Sequence, residues 1–384
     1  MKVAYISSIA YADLDLSLVK HLSLYADVTY FMLVGTSRKS TAIDLTENVL
    51  GDGITPANQL SVIQRFSSYI NIDKTYVVYS STQRGWSWAT LKKNHQLFNF
   101  LKRGKFDVVH LTTAPSYASW ELFLLRKKLV LTVHDPIPHS SAKSKMTEMW
   151  RKFAFKIINN IILLNQSQKA EFIKRYSLND QTKKILVSRL SIYSYLRLFE
   201  DIKYKIEGDY ILYFGNIVSY KGLEYLFPAM KELHKQRPAV KLVVAGGGKY
   251  YFDIENYKQL DYFDIRNRFI PDDELASLIQ NCKFVVVPYI DATQSGVVMS
   301  AFAFNKPCVI TNVGGLPEMV CDGCHGIVVA PKDSRALSQA MQSLLDDESL
   351  QKTFEKNIAE DYGRGYKSWN GIAEEMASFY KEII

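Results

Sequence analysis

Short apolar runs rich in Val, Ile, Leu and Tyr recur along the chain, separated by longer stretches in which apolar residues return every three or four positions. A brief apolar run reads as a strand buried on both faces, and the longer periodic stretch as a helix crossing back, so the pattern predicts βαβ units and parallel sheets. It occurs twice. In the first half strands are predicted at 2–6, 28–33, 107–111, 129–133, 157–164 and 184–187; in the second at 210–214, 241–245, 266–270, 284–287, 308–311 and 326–329. Between the two series, 200–209 is polar and charged with one glycine and reads as an interdomain linker. Residues 361–384 begin with a Gly-rich break and continue as an amphipathic helix carrying Ile372, Met376, Phe379 and Tyr380. No strand follows it, so it is expected to pack back on the first domain. The fold class is therefore α/β, with Rossmann-like doubly wound domains over 1–200 and 201–360 and the tail 361–384 returning to the first.

Composition agrees with two folded cores. The 384 residues are 47% hydrophobic and 22% charged, and no apolar run approaches the ~20 residues of a membrane-spanning helix. Asp13 and Asp15 interrupt the apolar start before a signal-peptide core forms, so the expected location is the cytoplasm. Four cysteines in so long a chain fit reduced thiols.

The net charge of +8 conceals an asymmetry. Residues 1–200 carry 27 Lys and Arg against 14 Asp and Glu, net +13, while the remainder carries 20 against 25, net −5. A basic half suggests an acidic partner: membrane phosphate, a phosphorylated ligand or nucleic acid. Nucleic acid rests on charge alone, without a base-reading motif, and is not expected. Trp86, Trp88, Lys92 and Lys93, then Phe98, Phe100, Lys102 and Arg103, mix aromatic and basic residues as an interfacial helix does; Trp150-Arg-Lys-Phe-Ala-Phe-Lys156 repeats the mixture. Either stretch alone reads equally as an ordinary helix with a solvated basic face. In a domain of net +13 the two together point to peripheral contact with an anionic membrane, at its inner face.

In doubly wound sheets ligands sit beyond the carboxyl ends of strands, so residues just after strands are the ones to inspect. In Tyr213-Phe-Gly-Asn-Ile-Val-Ser-Tyr-Lys-Gly222 a strand ends at Gly215-Asn216, and Lys221-Gly222 opens a helix. Free helix N–H groups and a lysine make a cradle for phosphate, although a surface lysine on a plain turn has the same spelling. Ala245-Gly-Gly-Gly248 offers backbone at Gly246 and Gly247 to a ligand, or is simply a tight turn. After Pro288-Tyr-Ile-Asp291, a polar loop leads into a helix at Ser295 and Gly296. Amides there suit a diphosphate, with Thr293 and Gln294 reaching toward its sugar, or else Thr-Gln-Ser-Gly only caps the helix.

Taken together, Phe214-Gly-Asn-Ile-Val-Ser-Tyr-Lys-Gly-Leu223, Leu242-Val-Val-Ala-Gly-Gly-Gly248, Ile270-Pro-Asp-Asp-Glu-Leu275, Val287-Pro-Tyr289, Ala292-Thr-Gln-Ser-Gly-Val297, Lys306-Pro-Cys-Val-Ile-Thr-Asn-Val-Gly-Gly-Leu-Pro-Glu318 and Asp322-Gly-Cys-His-Gly326 resemble bacterial glycosyltransferase family 4. Phe106-Asp-Val-Val-His110 and Leu131-Thr-Val-His-Asp-Pro136 look like that family's two strand-end histidine motifs, and Trp369 with its neighbours resembles its closing helix. The resemblance implies a GT-B fold, two Rossmann-like domains facing across a cleft. It implies a donor of UDP or GDP type held by the second domain, an acceptor approached from the first, and no cofactor or metal. Lys221 would then neutralise the departing diphosphate. Gly215, Asn216, Gly246, Gly247, Thr293, Gln294, Ser295, Gly296, Val297 and Glu318 would line the donor site. His134 would reach the transferred sugar or donor phosphate, whereas His110 reads better as structural. The implied activity is transfer of a sugar to a glycan, lipid-linked, for bacterial surface polysaccharide such as capsule or lipopolysaccharide. It would retain the anomeric configuration, the acceptor attacking from the face of the departing phosphate.

Several positions depart from the family pattern. Asn216 stands where an arginine is usual, Ala292 and Ser300 where two glutamates are usual, and Ser7-Ser-Ile-Ala-Tyr-Ala-Asp13 replaces a glycine-rich loop. Gln294 or Asp291 is the candidate substitute for the missing carboxylate contact. The departures also support an alternative, a catalytically silent protein that binds sugar nucleotides or acts as a scaffold. Cys321-Asp-Gly-Cys-His325 has the spelling of a c-type haem attachment site, but it coincides with the family's Asp-Gly turn and no second cysteine pair completes a zinc site.

Overall fold

The structure is a computed structural model and describes residues 1–82, 84–136, 145–179, 181–200, 204, 206 and 208–384. The chain forms two compact units, Met1–Arg189 with Trp369–Ile384, and Leu190–Ser368. Much of the expected linker 200–209 lies outside the described residues. The chain changes unit earlier than the sequence suggests, because 190–200 is bonded into the second unit: Tyr193 N–H donates to Met299 O at 3.2 Å and Arg197 Nε to Ala303 O at 2.6 Å. It returns later, since Tyr362 Oη donates to Met319 O at 2.5 Å and His325 Nε2 lies 2.9 Å from Asp361.

The first unit contains strands β1 Lys2–Ser8, β2 Asp27–Val34, β3 Gly53–Pro56, β4 Thr75–Tyr79, β5 Val108–Leu111, β6 Leu129–Val133, β7 Asn160–Leu163 and β8 Lys184–Val187. They lie in the order β3-β4-β2-β1-β5-β6-β7-β8, parallel except for β3, which runs antiparallel to β4. β3 and β4 are strands the sequence reading did not assign. β7 is shorter than the predicted 157–164, because Ile157 ends the helix Lys145–Ile157.

The second unit contains β9 Tyr210–Phe214, β10 Lys241–Ala245, β11 Phe263–Arg266, β12 Val285–Val287, β13 Cys308–Thr311 and β14 Gly326–Val329, in the order β11-β10-β9-β12-β13-β14. β11 corrects the predicted 266–270. Phe263 turns inward, while Asp264 and Arg266 form an ion pair at 2.7 Å that keeps both charges satisfied beside the sheet. Parallel strands covered on both faces must be apolar throughout, and Val3 to Ile6 and Ile211 to Tyr213 are at most 1% exposed.

Each sheet runs outward in both directions from its first strand, the doubly wound order whose reversal opens a crevice at the carboxyl ends of the two central strands. In the second unit these are β9 and β12, in the first β1 and β5. The helix Trp369–Lys381 belongs to the first unit and packs on Ala12–Leu22, burying Ile372, Met376 and Tyr380.

Candidate functional site

At the switch point of the second unit, the loops after β9, β10, β12 and β13 touch at glycines. A Cβ on Gly222 would lie 2.0 Å from Pro288 O, on Gly246 2.0 Å from Gly215 O, and on Gly314 1.5 Å from Ala292 O. All three have positive φ, at 68°, 152° and 51°. Glycine alone permits both the conformation and the approach. Gly215, at φ 119°, has Val297 Cγ2 as its neighbour, so the first and third loops read from the sequence meet directly. The Lys-Gly loop is further tied by Ile290 N–H, which donates to Tyr220 O at 2.8 Å.

Lys221 sits within this ring of loops, half-buried. Its Nζ is 3.7 Å from the centre of the Tyr289 ring and 5.1 Å from that of Tyr220. Burial lowers its pKa to about 8, because desolvation penalises the ammonium. Among the described residues it pairs with no carboxylate. Tyr289 is itself buried, and its hydroxyl lies 3.4 Å from Ser295 Oγ, so lysine, ring and helix cap form one connected set.

The other candidate residues fall into two groups. Ser295 is 2% exposed. Its hydroxyl accepts from Val298 N–H at 3.4 Å and its own N–H donates to Met319 Sδ at 3.4 Å, so it fixes the start of the helix Gly296–Ala303. Gly246 N–H donates to Arg266 O at 3.1 Å, which commits that amide to the sheet edge. Thr293, Gln294, Gly296, Val297 and Gly247 remain partly exposed on the same loops, and Asn216 and Glu318 are exposed. Ala292 and Ser300, at the positions where glutamates are usual, are both 5% exposed and line up with the core. Tyr289 entered the sequence reading only within Pro288-Tyr-Ile-Asp291 and the Val287-Pro-Tyr289 motif, with no site role, and Tyr193 not at all; the Tyr193 ring lies 3.0 Å from where a Cβ on Gly296 would stand. An aromatic immediately after a strand was the available signal for Tyr289, while Tyr193 is placed by contacts that no local pattern encodes.

In the first unit, His110 is fully buried between Tyr380 Oη at 2.5 Å and Thr132 Oγ1 at 2.7 Å. It fastens the closing helix to β5 and β6. His134 follows β6 and stacks on Tyr11, with ring centres 3.8 Å apart. Its Nε2 is buried without a hydrogen-bond partner among the described residues, and burial lowers its pKa to about 4, so the ring is neutral near pH 7. Tyr11, Thr112, His134, Asp135 and Arg151 line a cavity of about 220 Å³. Arg151 Nη2 donates to Asp135 O at 2.6 Å. Tyr11 and Arg151 were not singled out by the sequence.

The segment from Cys321 to His325 is a turn. His325 Nδ1 accepts from Cys321 N–H at 3.3 Å and Nε2 faces Asp361 at 2.9 Å, so the imidazole is occupied structurally. Both cysteines are free thiols.

Comparison with known proteins covers both units. A family model described as glycosyl transferases group 1 matches residues 197–361, and one described as glycosyltransferase family 4 matches residues 58–186. An uncharacterised glycosyltransferase of Methanocaldococcus jannaschii is 28% identical over 242 residues, 59% of this chain and 66% of the relative. The chain spans 66% and 59% of the lengths of the first two curated relatives it matches. Sucrose-phosphate synthase from Thermosynechococcus elongatus superposes with a TM-score of 0.67 at 17% identity, covering 100% of this chain and 99% of that one. HepE of Anabaena, solved in complex with UDP, gives 0.63 at 15% identity with 100% of both chains covered. These structures share the fold, two α/β units of doubly wound sheet. Each unit thus matches a glycosyltransferase family model, the family 4 model on the first and the group 1 model on the second, so the chain is similar to the family 4 glycosyltransferases.

Proposed function

We propose that the protein transfers a sugar from a nucleoside-diphosphate sugar to a glycan acceptor carried on a lipid, at the inner face of a cell membrane, in the making of bacterial surface polysaccharide. One observation carries the reading: Lys221, a half-buried cation without a carboxylate partner among the described residues, stands where the loops after β9 and β12 meet. Such a charge is costly until an anion arrives, and a diphosphate is the anion that fits a switch-point crevice. HepE, with the same fold, binds UDP, which supports a UDP-type donor here.

In this reading Lys221 stabilises the charge that grows on the leaving diphosphate as the glycosidic bond breaks. The helix start at Gly296 and Val297 adds N–H groups, and Thr293, Gln294 and Glu318 contact the sugar or ribose. The cavity beside His134 in the first unit takes the acceptor. Its neutral imidazole has a nitrogen without a partner among the described residues that can hydrogen-bond a sugar hydroxyl. Retention of configuration would follow from same-face attack assisted by the leaving phosphate. It requires no carboxylate at Ala292 or Ser300.

Incubation with UDP- and GDP-sugars, a lipid-diphosphate acceptor and Lys221→Ala as control tests this. Transfer from one donor class, reduced about 10²–10³-fold in the variant, is expected. Binding of sugar nucleotides without turnover across the panel would favour the silent binding protein instead.

A further inference from the structure

We infer that the first unit carries a docking face for an anionic bilayer, built from Trp86, Trp88, Trp120, Leu124, Met149 and Phe153. The inference deepens the proposed membrane-side acceptor and rests on that reading for its purpose. These side chains are large, apolar and exposed: Trp88 by 88%, Trp86 by 74% and Leu124 by 64%. Water is a poor environment for such surface, and contiguous patches of it mark binding faces.

The patch is continuous across three segments. Trp86 stacks on Tyr117 at 5.1 Å, Tyr117 lies 6.2 Å from Trp150, and Trp150 meets Phe153 at 5.4 Å. Trp120 and Leu124 stand on the 3₁₀ segment Tyr117–Lys128. In the helix Lys145–Ile157, Ala154 and Phe155 are buried in the core while Met149 and Phe153 face outward. That helix is therefore apolar on two faces, and the core accounts for only one.

Charge identifies the occupant. Lys92 follows Trp88 by four residues, Lys152 follows Met149 by three and Lys156 follows Phe153 by three, spacings that share a helix face. Arg126 and Lys127 come directly after Leu124 and Leu125. All five bases are exposed and none has a carboxylate partner among the described residues. The acids of these segments are engaged, Glu121 with His95 at 2.9 Å and Glu148 with Tyr176 at 3.0 Å. Tryptophans ringed by unpaired lysines suit the headgroup layer of an anionic membrane, where rings sit at the boundary and bases meet phosphate. No helix among the described residues is long and apolar enough to cross a membrane.

The test is sedimentation of the full chain with vesicles of phosphatidylcholine alone and of phosphatidylcholine mixed with phosphatidylglycerol. Wild type is expected to bind only the anionic vesicles and to be released by salt. Trp86→Ser with Trp88→Ser, and separately Lys152→Glu with Lys156→Glu, are each expected to weaken binding about tenfold or more. Circular dichroism and UDP binding in the absence of lipid should stay as in wild type. Equal binding by wild type and both variants, or none by wild type, overturns the inference. So does a wild type that is dimeric without lipid and becomes monomeric in the tryptophan variant, because a second copy then covers the patch. UDP binding is measured without vesicles. Failure to dock with UDP binding intact therefore counts against the surface alone, and docking without UDP binding against the donor site alone.

Discussion

Lys221 is the residue on which the proposed function rests. The loops around it remove enough water to lower its pKa to about 8, yet no carboxylate among the described residues relieves the cost. The ammonium is present below that pH and lost above it. Since kcat/KM reports ionisations of the free enzyme, it is expected to fall as pH rises through about 8, and a pH–rate profile flat to pH 10 would contradict the role. Asp15 in the first unit shows the opposite case, a buried acid serving structure. It accepts from Tyr5 Oη at 2.7 Å and Tyr30 Oη at 3.3 Å, and burial raises its pKa to about 7; Asp13 is shifted the same way, to about 6. The folded state therefore keeps a proton on Asp15 that the unfolded chain releases above about pH 4. Its contribution to stability is full below that pH and declines as pH rises through about 7. Denaturant midpoints measured from pH 4 to 8 should show a shallower decline in Asp15→Asn than in wild type.

Among elements, the strands were the most legible, because a parallel strand buried on both faces must be an unbroken apolar run and helices between such runs keep their own period. The exceptions have physical causes. β3, Gly53–Pro56, is antiparallel and only partly buried beyond Gly53, with glycine and proline at its ends, so it presents no apolar run. β11 alternates Phe263 and Ile265 with Asp264 and Arg266, whose charges are settled by pairing with each other and with Glu274 at 2.8 Å, while the apolar Phe269-Ile270 beyond it drew the reading off by a few residues. The loops were half legible. Lysine and glycine after strands pointed to the switch point, but the Tyr289 ring beneath Lys221 and the Met319 sulfur that takes the Ser295 amide join segments far apart in sequence. Gly246 tests the loop geometry. A Cβ there would collide with Gly215 O at a φ of 152°. Gly246→Ala is thus expected to cost roughly 1–3 kcal/mol and to lower the melting temperature, with UDP affinity weakened as the first two loops part; an unchanged melting temperature would show that the loops yield freely.

For the whole molecule, the chain builds one unit, then the other, and returns with a single helix. That return was legible from an amphipathic tail that no strand follows. The crossing point was misplaced by about ten residues, because Arg197 and Tyr193 are placed by hydrogen bonds to the second unit that composition does not register. In the proposed reading, the basic half offers a surface to anionic lipid and the second unit a crevice in which Lys221 meets a diphosphate. Calorimetric titration of UDP and GDP into wild type and Lys221→Ala decides whether that crevice exists. Saturable one-to-one binding of one of them is expected, weakened about tenfold or more by the loss of the ammonium. Binding of neither nucleotide, or equal affinity in the variant, would contradict the placing of a diphosphate at Lys221.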